Sequence, residues 1–144
     1  MSFSVNQWVT RFFGSLLILF FVATQASAQS AITYQDILDE EAELTRHYGD
    51  FASTQMTNNN LQNGPDPVVT ALLIDAVDKA GEATNNLGDA YYYWTALQQA
   101  IADNDATGVS NAMLNAGLKL SLATANRAAA DADLYAAWII LTAP

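Results

Sequence analysis

Residues 69–141 read VTALLIDAVDKAGEATNNLGDAYYYWTALQQAIADNDATGVSNAMLNAGLKLSLATANRAAADADLYAAWIIL, and apolar side chains recur in them at alternating intervals of four and three. The recurrence breaks once, at residues 103–108. The first ladder, before the break, consists of Val69, Leu73, Ala76, Ala80, Ala83, Leu87, Ala90, Trp94, Leu97 and Ile101. The second ladder, after the break, consists of Val109, Met113, Ala116, Leu120, Ala123, Arg127, Ala130, Leu134, Ala137 and Leu141. A repeat of 3.5 residues held this long keeps two helices facing each other, so it predicts a long antiparallel helical hairpin.

The predicted fold is all-α, an elongated three-helix bundle dominated by this hairpin, whose helices run from about 67 to 102 and from about 106 to 142. Pro67 directly after Asp66 is typical of a helix start, because proline lacks the donor that would be unpaired there. A shorter N-terminal helix is predicted over about 33–57, with Thr33 as its cap. Folding the hairpin at residue 105 sets Trp94 opposite Ala116, so large side chains meet small ones along the seam.

Two further predictions concern residues inside these helices. Gly81 and Gly88 are interpreted as close-contact positions, where small side chains let two helix backbones approach. Residues 57–60 are expected to end the first helix, because their hydroxyl and amide side chains compete for backbone hydrogen bonds.

Residues 1–28 have the pattern of a cleaved secretory signal peptide. Arg11 precedes an apolar run over residues 12–23, and Ala26-Ser27-Ala28 is the small-x-small pattern expected before a cleavage site. The apolar run is shorter than the roughly 20 residues that span a bilayer. We therefore expect residues 29–144 to form a single helical domain in the periplasm or outside the cell.

The exported part of the chain is strongly acidic. Without Arg11, four lysine and arginine residues face 15 aspartate and glutamate residues, which gives a net charge of −11. Phosphate backbones and anionic lipid head groups repel such a domain, so we expect no nucleic acid partner and no direct binding to anionic membranes. The chain has no cysteine and therefore no disulfide or thiolate metal site.

The residues around the break resemble the start of a calcium-binding loop. Asp103, Asp105 and Thr107 supply oxygen ligands at the first, third and fifth positions, and glycine follows at the sixth. Leu114, however, stands where such a loop places its bidentate glutamate. The main interpretation is therefore an inter-helical turn in which Asp105 caps the following helix. A weak calcium site is the alternative, and no other cofactor is expected.

No set of residues indicates an enzyme. The single histidine, His47, stands four residues after Glu43, and we expect this pair on a solvated helix face rather than in a metal or haem site. Without cysteine, and with no serine in a nucleophile context, the chain lacks machinery for nucleophilic catalysis. The carboxylates lie in polar runs, whereas acid/base catalysis needs one of them in an apolar pocket.

Arg127 occupies the only rung of the second ladder that is not apolar. A buried guanidinium must be paired, and the antiparallel register brings Glu82 near while Asp131 lies one turn along the same helix. We interpret Arg127 as a register lock between helices. A binding site for a ligand carboxylate is the alternative.

The last helix carries a second apolar stripe, formed by Leu114, Leu118, Leu122, Ala125, Ala129, Ala132, Ala136 and Ile139. A helix that is apolar on most of its circumference needs more than one neighbour. Residues 91–94 are a dense aromatic cluster, which suits either the core or a contact surface. The predicted interaction surface therefore comprises Tyr92, Tyr93, Leu118, Leu122, Tyr135, Trp138 and Ile139.

These observations favour an exported, non-enzymatic helical interaction or structural protein. We expect it to be a subunit of a homo-oligomer, a filament or a larger envelope complex, with itself or another envelope or secreted subunit as its partner. The alternative is a periplasmic carrier of a small ligand or metal ion. Its candidate residues are Tyr91 to Trp94, Arg127 and Asp103 to Thr107.

Overall fold

A computed structural model describes residues 32–143, which form three α-helices: α1 (Tyr34–Asn59), α2 (Pro67–Ala102) and α3 (Ala106–Thr142). Helices α2 and α3 pack against each other as an antiparallel hairpin, and α1 lies against both. The predicted all-α three-helix bundle is confirmed, with the hairpin helices at the predicted bounds. The predicted signal peptide lies outside the described residues.

Polar side chains fix the start of each helix. Thr33 accepts a hydrogen bond from the backbone of Asp36, and the Asp36 carboxylate accepts one from the backbone of Thr33, which makes a capping box. Asp66 caps α2, with Pro67 as its first residue, and Asp105 caps α3. These bonds satisfy donors that have no partner within the helix, so each N-terminus begins where a capping residue stands.

Helix α1 extends two residues beyond the predicted end, because the Asn58 side chain does not compete for the local backbone. Its amide nitrogen donates to Thr70 Oγ1 at 3.1 Å, and its amide oxygen accepts from the backbone N–H of Asp66 at 2.9 Å. Asn58 is buried and ties the end of α1 to the start of α2. The amide therefore makes tertiary contacts, and the helix continues through it.

The first ladder forms the buried side of α2 over most of its length, and Trp94 and Ala116 belong to one packed cluster, as the register predicts. Near the hairpin turn the buried positions shift by one residue. Ile101 and Met113 are 53% and 37% exposed, and Ala100 and Ala112 are buried beside them. In α3 the cause is the helix period: a straight helix turns every 3.6 residues, so the 3.5-residue pattern drifts by about 20° per heptad, which moves Met113 off the seam and leaves Ala112 on it.

Gly81 and Gly88 are not close-contact positions, and that prediction is wrong. A Cβ atom built on either residue meets no atom within 4 Å outside the local helix backbone. Neither residue therefore sets the distance between the helices. Within residues 32–143, no helix combines the length and apolar character needed to cross a membrane.

Candidate functional site

The inward face of α1 combines apolar and polar residues at the same four-three spacing as the two ladders. Sequence reasoning missed this third ladder, because it followed apolar residues alone. Its rungs are Ile37, Glu40, Leu44, His47, Phe51, Thr54 and Asn58, all buried except the half-buried Phe51. The spacing itself was the available signal, since it continues unbroken through the polar positions.

Glu40 on α1 and Arg127 on α3 form the most buried ion pair of the described chain. Arg127 Nε donates to Glu40 Oε1 at 2.6 Å, and its Nη2 donates to Glu40 Oε2 at 3.3 Å. Thr124 Oγ1 donates to Glu40 Oε2 at 2.9 Å. The side chains of Arg127 and Glu40 are only 15% and 7% exposed. Such a fork-to-fork pair fixes both the position and the angle of the two helices.

Asp131 joins this pair to a wider network. Its Oδ2 accepts hydrogen bonds from Arg127 Nη1 at 2.9 Å and from Arg46 Nη2 at 3.3 Å. Its Oδ1 lies 2.7 Å from Nδ1 of His47. Hydrogen bonding to Glu40, together with the charges of Glu40 and Asp131, raises the pKa of Arg127 above its ordinary value. The guanidinium is therefore charged at neutral pH.

Arg127 is paired inside the bundle, as its interpretation as a register lock requires, but Glu82 is not its partner, and the prediction of that contact is wrong. The guanidinium bonds to Glu40 and Asp131, and Glu82 is exposed on α2. The prediction considered only the hairpin, whereas α1 lies over the same edge of α3 and places Glu40 against Arg127. The predicted contact with Asp131, one turn along α3, is present.

His47 does not lie on a solvated face, and its predicted pairing with Glu43 is also wrong. The side chain is fully buried, and Glu43 instead pairs with Arg46 at 3.0 Å. The first ladder carries alanine at three successive rungs, 76, 80 and 83, which leaves space for an α1 side chain in the middle of the bundle. The Nε2 atom of His47 has no hydrogen-bond partner among residues 32–143.

The buried network is suited to positioning the helices. It joins Glu40, Asp131, Arg127 and His47 inside the bundle, and Arg46 closes it at the surface. Polar residues at inward helix positions select one register, because any other alignment leaves a buried charge unpaired. His47 is fully buried, so neither ring nitrogen meets a substrate without movement of α1.

The predicted calcium-loop residues serve the turn between α2 and α3. Asp103 accepts a hydrogen bond from Gln99 on α2, and Asp105 accepts one from the backbone of Thr107 on α3. Asn104 between them has a φ of 53°, which reverses the chain. Among residues 32–143, no three acidic or histidine side chains gather in a way that would hold a metal ion. The turn interpretation is confirmed, and calcium binding stays a prediction.

The predicted interaction surface separates into different environments. Leu118, Leu122 and Ile139 are 54%, 42% and 47% exposed on the side of α3 that faces neither α1 nor α2. Tyr135 and Trp138 are also exposed and stack on each other, with ring centroids 6.4 Å apart. They border a groove against Arg46 and Asp50 of α1.

Of the three tyrosines assigned to this surface, the adjacent Tyr92 and Tyr93 differ from each other. Tyr92 is 69% exposed on α2. Tyr93 is half-buried and packs against the core with Trp94, so its placement on the surface is wrong. Consecutive helical residues point about 100° apart, and one tyrosine therefore turns inward as the next turns out.

All four charged residues of α3 point toward the other two helices. Lys119 pairs with Asp89 at 2.7 Å and Asp133 pairs with Lys79 at 2.5 Å, both on α2. The other two, described above, join the network with α1. We call the remaining surface the outer face of α3, formed by Leu114, Leu118, Ser121, Leu122, Ala125, Ala128, Ala129, Ala132, Tyr135, Ala136 and Ile139, and it contains no charged side chain.

A second groove lies between α1 and α2. It has a volume of about 520 Å³ and its walls include three tyrosines, Tyr34, Tyr48 and Tyr91, with Leu44 and Leu87 deeper in. Aromatic walls with a small number of polar groups are typical of small-ligand sites. No protein-family model, curated protein or solved structure matches this chain.

Proposed function

We propose that this chain is an exported, non-enzymatic subunit of a protein assembly and that it binds its partner through the outer face of α3. The observation that carries the proposal is the absence of charge from this face in a chain whose net charge is −10. Leu114, Leu118 and Ile139 are each about half exposed there. An apolar helix face of this kind, bordered by ion pairs, is typical of a protein contact.

The charge distribution supports a protein partner rather than a nucleic acid or an anionic membrane. The carboxylates of α1 and α2 repel phosphate groups over the rest of the surface. The outer face of α3 offers no cation with which to bind such groups. This face stabilises a contact by burying apolar area, which contributes about 25 cal/mol per Å².

The experiment compares two exposed apolar residues. Leu118 on the outer face and Ile74 on α2 are 54% and 56% exposed, so replacing either with glutamate changes the fold equally little. The tagged chain is expressed in its native source and its bound proteins, including untagged copies of itself, are quantified. We expect Leu118→Glu to lose the associated protein and Ile74→Glu to keep it.

The result that contradicts the proposal is equal association by both variants and by the unmodified chain. A circular dichroism spectrum of each variant confirms that the helices are intact.

Export is tested separately, by mass determination of the N-terminus of the chain recovered outside the cytoplasm. A chain that begins at residue 29 supports cleavage after Ala28, and a chain that keeps residues 1–28 contradicts it.

A small-ligand carrier is the second candidate function, and the tyrosine-walled groove between α1 and α2 favours it. Native mass spectrometry of the chain from its own source distinguishes the two functions. A carrier retains a bound small mass that Tyr91→Ala loses. A subunit of an assembly retains only copies of itself or of a protein partner.

A further inference from the structure

The outer face of α3 contains a fourth ladder, which we call the outer ladder, with the same alternating spacing. Its rungs are Leu118, Leu122, Ala125, Ala129, Ala132, Ala136 and Ile139. All of them are exposed except Ala136, which is half-buried. A four-three ladder of apolar residues is the pattern by which one helix packs along another. The ladder therefore specifies a helix as the occupant of this face.

We propose that the occupant is the α3 helix of a second copy of this chain, packed antiparallel about a two-fold axis near residue 127. This inference rests on the proposed function and names the partner of the same face. In this register Leu118 lies opposite Ala136 of the other copy, Leu122 opposite Ala132, and Ala125 opposite Ala129. Each contact then occurs twice, as a two-fold interface requires.

The sizes of the side chains select the antiparallel arrangement. Leucine opposes alanine in two of the three layers, and two alanines meet next to the axis, where the helices come closest. In a parallel arrangement each residue opposes its own copy. Leu118 then meets Leu118 of the other copy and Leu122 meets Leu122, and these pairs hold the helices too far apart for the alanine layers from Ala125 to Ala136 to make contact. Close-packed interfaces do not tolerate such gaps.

The hairpin of the same chain already follows this rule. Trp94 packs in one cluster with Ala116, and Leu87 packs in it with Ala123. The second ladder of α3 thus meets α2 with large side chains opposite small ones. The outer ladder, on the opposite side of α3, also combines large apolar side chains with alanines, but within residues 32–143 no helix covers it.

Charge selects a second copy over a charged partner. Glu41 and Glu43 are exposed on α1, and Asp75 and Asp78 are exposed on α2. Two copies that meet through either helix bring carboxylates together, which destabilises the contact. Two copies that meet through α3 bring no charge into the interface and keep the acidic helices on the far sides. A cationic partner, in turn, finds no carboxylate on this face.

Disulfide formation tests the register directly, because the chain has no cysteine of its own. Leu122→Cys and Ala132→Cys each place one thiol on the outer ladder. In the proposed dimer, residue 122 of one copy lies opposite residue 132 of the other. Residue 122 of one copy and residue 122 of the other are offset by ten residues, or about 15 Å. A disulfide requires Cα atoms within about 7 Å.

We expect a disulfide-linked dimer when the two variants are mixed and oxidised, and none from either variant alone. A linked dimer from a single variant overturns the antiparallel register. Sedimentation equilibrium gives a second measurement. We expect Leu122→Glu to raise the dimer Kd at least about 100-fold, since each copy then buries an unpaired carboxylate, and Ile74→Glu to leave it unchanged.

The inference and the proposed function fail in different ways. If the chain stays monomeric at 100 µM, the concentration chosen for the test, a second copy is not the occupant of the outer face of α3. If that monomer still captures another protein in a manner that depends on Leu118, the proposed function stands without the dimer. If neither self-association nor capture depends on Leu118, both proposals are wrong.

Discussion

Removal of Glu40 tests whether the buried network sets the stability and register of the bundle. In Glu40→Leu, Arg127 keeps only Asp131 as a partner, and Thr124 loses its acceptor. Breaking a buried pair costs about 3–5 kcal/mol. Because Asp131 still compensates the guanidinium, we expect the free energy of unfolding to fall by the lower end of this range, about 3 kcal/mol. For a domain of this size that corresponds to a fall of about 12 °C in the melting temperature.

The double variant Glu40→Leu/Arg127→Met gives the sharper result. It replaces the pair with apolar side chains and leaves Asp131 bonded to His47 and Arg46. Apolar replacement of a buried pair is often neutral or stabilising. We therefore expect the double variant to lie within about 1 kcal/mol of the unmodified chain and to be more stable than Glu40→Leu alone.

The assay is urea denaturation followed by circular dichroism at 222 nm, at one protein concentration, since self-association also changes apparent stability. Lys119→Met is the matched control, because Lys119 lies on the same helix in an ion pair whose side chains are 30% and 55% exposed. An exposed pair contributes at most about 1 kcal/mol. The single variants Glu40→Leu and Arg127→Met are measured beside the double variant. If the double variant loses as much free energy of unfolding as the two single variants together, the network does not act as a unit and our reasoning is wrong.

Three further predictions concern the caps, the glycines and the histidine. Thr33→Ala should cost about 1 kcal/mol near neutral pH. Hydrogen bonds from Thr33 lower the pKa of Asp36, so the part of this cost that comes from the bond between Thr33 Oγ1 and the carboxylate is present above the unfolded pKa of about 3.9 and disappears as the pH falls through the lower folded pKa, which acid titration of both chains measures. Gly81→Ala should stabilise the chain by about 0.5–1 kcal/mol, since the added methyl group meets open space, whereas Gly108→Ala should gain less in thermal melts because its Cβ meets the carboxylate of the cap residue. Nitrogen NMR should find His47 protonated at Nδ1, the atom that faces Asp131, and protonation at Nε2 alone would contradict the described hydrogen bond.

The hairpin was predictable from sequence because its signal is local and periodic. Three local signals define its two helices: apolar residues at four-three spacing, a proline at the first position of α2, and an aspartate before each hairpin helix. The outer ladder of α3 was predictable for the same reason. The exposure of Leu118 and Leu122 follows from an apolar helix with more apolar surface than its two neighbours cover.

The buried network was not predictable, because it depends on how α1 packs against the hairpin. A histidine and a glutamate in a polar helix favour a solvated face when the sequence is considered alone. Only the third ladder, which continues through Glu40 and His47, indicates otherwise. The partner of Arg127 depends on the same docking, since two helices alone place Glu82 nearest and the third helix supplies Glu40.

The polar rungs on α1 have a consequence for the order in which the bundle opens. The face between α2 and α3 is mostly apolar, whereas Glu40, His47 and Asn58 attach α1 through hydrogen bonds and ion pairs that water can replace once the helix moves away. Release of α1 should therefore require less free energy than global unfolding. Amide hydrogen exchange should show α1 exchanging as one cooperative unit ahead of the hairpin, and the hairpin should persist as a partly unfolded state with His47 in contact with solvent.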